Sequence, residues 1–241
     1  MYITSPDNPK IKEYIKLRDN KNFRHEKSQF VIEGFRNVND AIKNSVKLAQ
    51  IFVTEKFSEN FSEADIITEK LSVKMSDTKS PQGVFAVAEM LTQKPVGGKI
   101  FVLWNLQDPG NLGTIIRSAD AFGIRDLFSV NSVDRYSPKV VRAAMGSLFR
   151  VNITEFDTEN VFEALSDYET YAAVLSGYDF TLGQVPFAEK SAIFIGNEGS
   201  GLPEEISKRC DCRFTIPMKG NAESLNAAVA ASIIMHYTNL N

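Results

Sequence analysis

Cysteine and histidine are scarce in this chain of 241 residues, which has two of each. Cys210 and Cys212 stand one residue apart, a spacing that suits neither a structural disulfide nor a paired metal-binding knuckle. We therefore expect two free thiols on opposite faces of a short strand. His25 and His236 are far apart in sequence and have no ligand-rich neighbourhood. The sequence thus predicts no metal site.

Long apolar runs are also absent. No stretch of roughly 18 apolar residues occurs, and residues 1–10 do not combine a basic stretch with an apolar segment. We therefore expect neither a membrane span nor a secretory signal, and we expect a cytoplasmic protein. The composition, with 43% hydrophobic and 24% charged residues, is that of a globular chain with one large domain or two modest ones.

The net charge of -3 does not indicate a surface covered with positive charge. Positive charge is nevertheless concentrated at the start, because residues 1–50 contain ten Lys or Arg and six Asp or Glu. The distribution of charge matters more than its sum for nucleic-acid binding. The N-terminal part is therefore the basic part of the chain.

Residues 1–90 are predicted to form a small α/β domain. A basic amphipathic helix follows the turn at Ser5, and short strands are predicted at 29–33, 48–53, 64–68 and 84–90, with a helix at 37–43. Residues 91–98 combine Pro with a Gly pair and have no periodicity, so they are predicted to be a linker. Residues 99–241 form the second predicted domain.

The second domain begins with a continuous apolar run at 99–104, typical of a strand buried on both faces of a parallel sheet. Strands and helices then alternate, which predicts a mostly parallel sheet with helices on both faces. In such sheets ligands bind beyond the carboxyl ends of the strands. Three segments at predicted strand ends therefore stand out.

The first segment, 105–113, holds the turn-forming pair Pro109 and Gly110 and leads into a helix that Asn111 is predicted to cap. Arg117 lies off the apolar stripe of that helix, so its guanidinium can face a cleft. Taken alone, the pattern more often indicates a capped helix with a surface cation.

The second segment, 195–202, ends an apolar strand with three glycines in six residues and the carboxylate of Glu198. Glycines let the backbone approach a ligand closely. The segment matches neither the dinucleotide-binding pattern after a first strand nor the P-loop, so nicotinamide-dependent and nucleotide-hydrolysing classes are disfavoured. A structural turn is the alternative.

The third segment, 216–226, leads into an alanine-rich last helix. Ser224 is predicted to cap this helix, and its inward face is predicted to carry Leu225, Ala228, Val229, Ser232, Ile233 and His236. A capped helix made of small residues is again the structural alternative.

Taken together, in this order and spacing, the three segments resemble the signature motifs of the SpoU branch of the SPOUT methyltransferases. The N-terminal part is similar to the family's substrate-binding domain, which resembles ribosomal L30e proteins. The resemblance implies a C-terminal trefoil knot, which pattern reading alone does not predict because knots are rare. It also implies S-adenosylmethionine as cofactor, RNA as substrate and a homodimer.

The resemblance assigns roles to particular residues. The cofactor is expected at Ser176, Gly177, Gly196, Asn197, Glu198, Ile216, Met218 and Leu225. The catalytic set is expected to be Arg117, Asn111, Glu198, Ser224 and Asn226. The family resemblance suggests Arg117 as the general base. Because a guanidinium holds its proton tightly, Arg117 can instead bind an RNA phosphate and orient the nucleophile. Glu198 is a second candidate base.

The expected reaction is methyl transfer to a ribose 2'-hydroxyl of RNA. Ribosomal RNA of the 23S type is favoured over transfer RNA because a substrate-binding domain is present. RNA contacts are expected at Lys10, Lys12, Arg24 and Arg36. The alternative is a non-catalytic RNA-binding protein of the same fold, against which the intact catalytic set argues.

Overall fold

A computed structural model describes residues 1–92, 94 and 97–240. Residues 93, 95 and 96 of the predicted linker lie outside the described residues, as does residue 241. The chain forms two compact units. The first comprises Met1–Thr92 and Asp134–Phe149, and the second comprises the described residues of 93–133 and 150–241.

The first unit is built on a mixed five-stranded sheet in the order β1-β4-β3-β5-β2. The strands are β1 (Tyr2–Ile3), β2 (Gln29–Glu33), β3 (Leu48–Thr54), β4 (Asp65–Ile67) and β5 (Val84–Glu89), and the helices are α1 (Pro9–Asp19), α2 (Lys21–Lys27), α3 (Phe35–Lys43), α4 (Glu69–Met75) and α6 (Pro138–Ala143). The predicted strands are present. Helices α2 and α4 were not predicted, because neither carries a long apolar stripe.

The second unit is built on a seven-stranded sheet in the order β10-β12-β9-β11-β6-β7-β8, in which every described pairing is parallel. The strands are β6 (Ile100–Trp104), β7 (Asp126–Val130), β8 (Asn152–Phe156), β9 (Glu169–Ala173), β10 (Phe180–Thr181), β11 (Ser191–Ile195) and β12 (Cys212–Thr215), and the helices are α5 (Pro109–Ala121), α7 (Val161–Ala164), α8 (Glu204–Ser207) and α9 (Ala227–Leu240). The parallel α/β prediction is confirmed. The trefoil knot stays a prediction.

The thiols take no part in a covalent link among the described residues, since Cys210 and Cys212 are both free. Burial raises the pKa of Cys210 to about 12, so its thiol stays protonated at neutral pH. No helix in the described part of the chain is long and apolar enough to cross a membrane.

Residues 134–149 lie between β7 and β8 in sequence but pack within the first unit. Tyr136 packs against Phe30 of β2, with ring centroids 4.6 Å apart. The Arg24 guanidinium donates to Asp134 Oδ2 from Nε (3.0 Å) and Nη2 (2.6 Å), and to the carbonyls of Leu17 and Arg18 from Nη1. Arg24 is 4% exposed. The prediction of Arg24 as an RNA contact is therefore wrong, because its guanidinium is buried and paired with Asp134.

Replacing Arg24 by lysine is expected to lower the free energy of unfolding by about 2 kcal/mol. Lysine keeps the charge but cannot reproduce the planar fork that serves Asp134 and two carbonyls at once. Urea unfolding measures the loss, and the RNA affinity of the folded variant should stay at the wild-type value. An unchanged unfolding midpoint would show that the buried pair is not a stabilising element.

Candidate functional site

The carboxyl ends of β6 and β11 lie side by side, because the two strands pair in parallel with Leu103 opposite Ile195. The loop after β6 leads into α5, and the loop after β11 holds Glu198. Sheet neighbourhood thus brings together two of the three predicted segments. The third segment leads into α9, which packs against α5 through Ser118 Oγ and Ser232 Oγ, 2.7 Å apart.

A chain of hydrogen bonds joins all three segments. Asn226 Nδ2 donates to Asn111 Oδ1 at 3.0 Å, and Asn111 Nδ2 donates to Glu198 Oε1 at 2.5 Å. The three side chains come from the start of α9, the first turn of α5 and the loop after β11. We call this chain the amide relay. The three segments therefore meet in space.

The amide relay has one polarity. Asn226 Oδ1 accepts from the backbone N–H groups of Ala228 and Val229, at 2.9 and 3.2 Å, so its Nδ2 must face Asn111. Asn111 then presents its oxygen to Asn226 and its N–H₂ group to the Glu198 carboxylate. The relay therefore holds one carboxylate oxygen of Glu198, while no hydrogen bond to Oε2 occurs among the described residues.

Two predicted helix caps are wrong. Helix α9 is capped by Asn226 instead of Ser224, and α5 is capped by Asp108, which accepts from the backbone of Asn111 at 2.9 Å. In both cases another short polar side chain at the true helix start reaches the free N–H groups. Asn111 is therefore free to use its side chain in the relay.

Substitutions at Asn226 should separate its two duties. Asn226→Ala removes both the cap and the relay bond, and is expected to lower the free energy of unfolding by about 1 kcal/mol. Asn226→Ser can still cap α9 but is too short to reach Asn111. We expect near wild-type stability for Asn226→Ser, yet an activity loss of about tenfold in both variants. Full activity in Asn226→Ser would contradict a role for the relay.

A pocket of about 220 Å³ opens at the carboxyl ends of β9, β11 and β12. Its lining includes six of the predicted cofactor residues: Gly196, Asn197, Glu198, Ile216, Met218 and Leu225. Ser224, predicted as catalytic, also lines it. Ser176 and Gly177 follow the lining residue Leu175 but are not part of the lining.

The pocket depends on the absence of a side chain at Gly196. A Cβ there would lie 2.1 Å from the backbone carbon of Gly201 and from the nitrogen of Leu202. Asn197 and Gly201 form an antiparallel bridge, and Asn197 Oδ1 accepts from the backbone N–H groups of Gly199 and Ser200. The Asn197 side chain thus shapes the loop, and what the loop offers to a ligand is mainly backbone.

Several lining residues were not predicted individually. They are Ala173, Val174, Leu175, Leu202, Thr215, Ala227 and Ala230. Most stand at the ends of β9 and β12 or in the first turn of α9, so the strand-end rule could have found them once the strand bounds were known. Leu175 and Met218 are exposed apolar side chains at the pocket. Exposed apolar surface beside polar backbone suits a ligand with a flat ring and a polar tail.

The loop that carries Ser176 and Gly177 is held at its far end. Asp179 accepts from the backbone N–H of Arg213 at 2.9 Å and from its guanidinium at 3.1 Å. These hydrogen bonds lower the pKa of the Asp179 carboxyl. Gly177 has a φ of +65°, a backbone conformation that favours glycine.

Arg117 is not joined to the amide relay. It lies on the exposed face of α5, and no hydrogen bond or ion pair to its guanidinium occurs among the residues the structure describes. Ser224 is exposed and likewise makes no hydrogen bond within that part of the chain. Both side chains are therefore available to a substrate.

The remaining predicted RNA contacts differ in how closely their charges are paired with carboxylates of the same chain. Lys10 pairs with Asp65 at 2.6 Å, and Lys12 pairs with Asp7 at 2.8 Å. Arg36 has a side chain 73% exposed and only a 4.0 Å contact with Asp40. Of the described residues, no group of three His, Cys, Asp or Glu is arranged to hold a metal ion.

The pocket residues fit S-adenosylmethionine. Apolar side chains from β11, the loop after β12 and the segment before α9 can enclose an adenine ring, and the loop after Gly196 brings backbone polar groups to its edge. A Cβ at Gly196 would overlap the backbone of residues 201–202, so the loop that lines the pocket could not follow this path. The bound cofactor supplies an electrophilic methyl group.

The chain is similar in sequence and in structure to known proteins. A profile of the SpoU rRNA Methylase family matches residues 98–236, and a profile of the MRM3-like substrate binding domain matches residues 8–86. The chain is 31% identical over 247 residues to the 23S rRNA (guanosine(2553)-2'-O)-methyltransferase RlmP of Bacillus subtilis, covering 98% of each chain. It is 30% identical to the 23S rRNA (uridine(2479)-2'-O)-methyltransferase of Streptomyces viridochromogenes, covering 95% of this chain and 88% of that one. The crystal structure of an AdoMet-bound rRNA methyltransferase from Sinorhizobium meliloti superposes with a TM-score of 0.87 at 28% identity, covering 100% of this chain and 97% of that one.

Proposed function

Because the chain belongs to the SpoU rRNA methylase family and is an S-adenosylmethionine-dependent RNA 2'-O-methyltransferase, we propose that its substrate is 23S ribosomal RNA. The observation that carries the proposal is likeness over the whole length, substrate-binding domain included, to two enzymes that act on 23S rRNA. Those enzymes modify different nucleotides, a guanosine and a uridine. Mapping the methyl group on 23S rRNA identifies the nucleotide.

The proposed place of methyl transfer is the pocket at the carboxyl ends of β9, β11 and β12. Gly196, Asn197, Ile216, Met218 and Leu225 hold the cofactor there. Ser176 and Gly177 are proposed to reach it from the rim. The enzyme is proposed to work in the cytoplasm, since its substrate is assembled into ribosomes there.

The proposed proton acceptor is Glu198. A ribose hydroxyl is a weak nucleophile, so a base within hydrogen-bond reach assists its attack. The amide relay holds Glu198 Oε1, which leaves Oε2 to accept the proton. Arg117 is proposed to bind an RNA phosphate and orient the ribose, because it is exposed and a bidentate cation suits phosphate. Ser224 lines the pocket and is proposed to contact the ribose.

A homodimer is proposed on the outer face of α9. Val229 and Ile233 were predicted to face inward, but they are 47% and 38% exposed, while Ala231, Ile234 and Met235 are buried. Residues four apart lie on the same side of a helix, so the two form an apolar stripe. Adjoining exposed apolar side chains lose contact with water when a second subunit covers them, which favours association through this face.

The variant Val229→Glu with Ile233→Glu is expected to be a monomer, because two buried carboxylates would oppose association. Light scattering after gel filtration measures the mass, with wild type expected at twice the chain mass of 26.9 kDa. A monomeric wild-type protein would overturn the dimer proposal. A variant that stays dimeric would move the interface elsewhere.

Methyl transfer from labelled S-adenosylmethionine tests the substrate. The purified enzyme is incubated with unmodified 23S rRNA, 16S rRNA and a tRNA pool. Label is expected in 23S rRNA only, close to one methyl group per molecule, and primer extension at low nucleotide concentration locates it. Label in tRNA and none in 23S rRNA would refute the proposal.

A further inference from the structure

The first unit contains a cavity of about 400 Å³, remote in sequence from the methyl-transfer residues. It lies where the carboxyl ends of β2, β3 and β4 meet the start of β5. Its walls include Phe35, Lys56, Phe57, Glu69 and Gln82, and we call it the aromatic pocket. Its volume falls in the range of about 300–1,000 Å³ common for small-molecule sites.

Two aromatic rings form one wall. The centroids of Phe35 and Phe57 are 5.5 Å apart with an angle of 28° between the rings, a stacked arrangement. Both rings are half-buried and line the cavity. Lys56 Nζ stands 5.2 Å from the Phe57 centroid. The wall therefore combines a flat π surface with an exposed cation.

Glycine keeps the mouth of the aromatic pocket open. Gly83 has a φ of +75°, and a Cβ there would lie 2.6 Å from Thr54 Oγ1. Gly34 has a φ of +103°, and a Cβ there would lie 2.8 Å from Gln82 Oε1. Larger residues at either position would push Thr54 or Gln82 away. The backbone is thus shaped so that polar side chains can stand beside the rings.

We propose that the aromatic pocket receives an unpaired nucleobase of the RNA substrate. The proposal rests on the proposed function, since it assumes that the first unit binds RNA. Proteins read single-stranded RNA by stacking splayed bases on aromatic rings and by hydrogen-bonding their edges. The Glu69 carboxylate can accept from a base amino group, and the Gln82 amide can donate and accept. Arg36, exposed beside Phe35, is placed for the adjoining phosphate.

Phe57→Leu tests the stacking. Leucine keeps an apolar filling but loses the flat ring, so the Kd for 23S rRNA is expected to rise about tenfold at fixed salt. Phe57→Tyr keeps the aromatic ring, so it is expected to bind the RNA with the wild-type Kd. The Kd for S-adenosylmethionine and the kcat at saturating RNA should stay unchanged, because the methyl-transfer residues are untouched.

If Phe57→Leu does not fold, substitutions of two exposed residues of the aromatic pocket test the proposal. Gln82→Ala and Lys56→Ala are each expected to raise the RNA Kd by about threefold to tenfold. Lys43→Ala is the charge-matched control, since Lys43 is exposed on the same unit but does not line the cavity. It should change the Kd less than twofold. Equal losses in Lys56→Ala and Lys43→Ala, with Gln82→Ala unchanged, would overturn the proposal.

The wild-type transfer assay keeps the two proposals apart. If wild type methylates 23S rRNA and Phe57→Leu binds that RNA as tightly, the aromatic pocket proposal fails while the proposed function stands. If wild type methylates tRNA instead, the proposed function fails, and the same variants are then compared on tRNA. In that case an unchanged Kd for Phe57→Leu again overturns the pocket.

Discussion

Gly196→Ala is expected to lower the affinity for S-adenosylmethionine by about 100-fold or more. The added methyl group would lie 2.1 Å from two backbone atoms of the 201–202 segment, so the loop must move. Backbone cannot rotate away as a flexible side chain can. Because the same loop carries Glu198, methyl transfer is expected to fall with the binding. Isothermal titration with the cofactor measures the loss.

Gly183→Ala is the control for this result. Gly183 lies outside the lining of the pocket, and a Cβ there meets no atom within 4 Å. Its cofactor affinity is expected to stay within about threefold of wild type. Thermal unfolding of both variants confirms that they are folded. Wild-type binding by Gly196→Ala would mean that the cofactor lies elsewhere.

Arg117→Ala is expected to slow methyl transfer by roughly 10²–10³-fold with an unchanged cofactor Kd. Arg117 is exposed and does not line the cofactor pocket, so its loss should affect the RNA ribose and not the methyl donor. Arg125→Ala removes the same charge just before β7, at the amino ends of the parallel strands, and should retain activity. Single-turnover kinetics measure the chemical step.

Conservative variants then separate orientation from proton transfer. Arg117→Lys keeps a cation but loses the two-pronged geometry, so partial activity is expected. Glu198→Gln keeps the shape but cannot accept a proton, so its rate should be low at every pH. Full activity in Arg117→Lys would show that the guanidinium of Arg117 has no catalytic role. Full activity in Glu198→Gln would exclude it as the base.

Much of the second unit could be predicted because local and global signals agree there. The apolar run of β6 predicts a buried parallel strand, and the glycines after β11 predict a loop that approaches a ligand. Parallel pairing then forces both strand ends to one edge. The meeting of Asn111, Glu198 and Asn226 follows from these features together with the family resemblance. Their exact hydrogen-bond order required the structure.

Other features depend on contacts that no local pattern records. Arg24 sits in a basic segment, yet it is buried because Asp134, 110 positions later in the chain, returns to pair with it. Val229 and Ile233 fit an inward stripe equally well by spacing, because α9 is apolar on more than one side. Asn226 and Ser224 are both good caps, and only the true helix start distinguishes them.

Alkaline hydrolysis of the enzymatically labelled RNA tests the central claim most directly. A methyl group on the ribose removes the hydroxyl that attacks the neighbouring phosphate, so the label should be recovered in alkali-stable dinucleotides. Wild-type product is expected to give this result, and Gly196→Ala is expected to yield no labelled RNA. Label recovered in mononucleotides would place the methyl group on a base and would contradict methyl transfer to the 2'-hydroxyl.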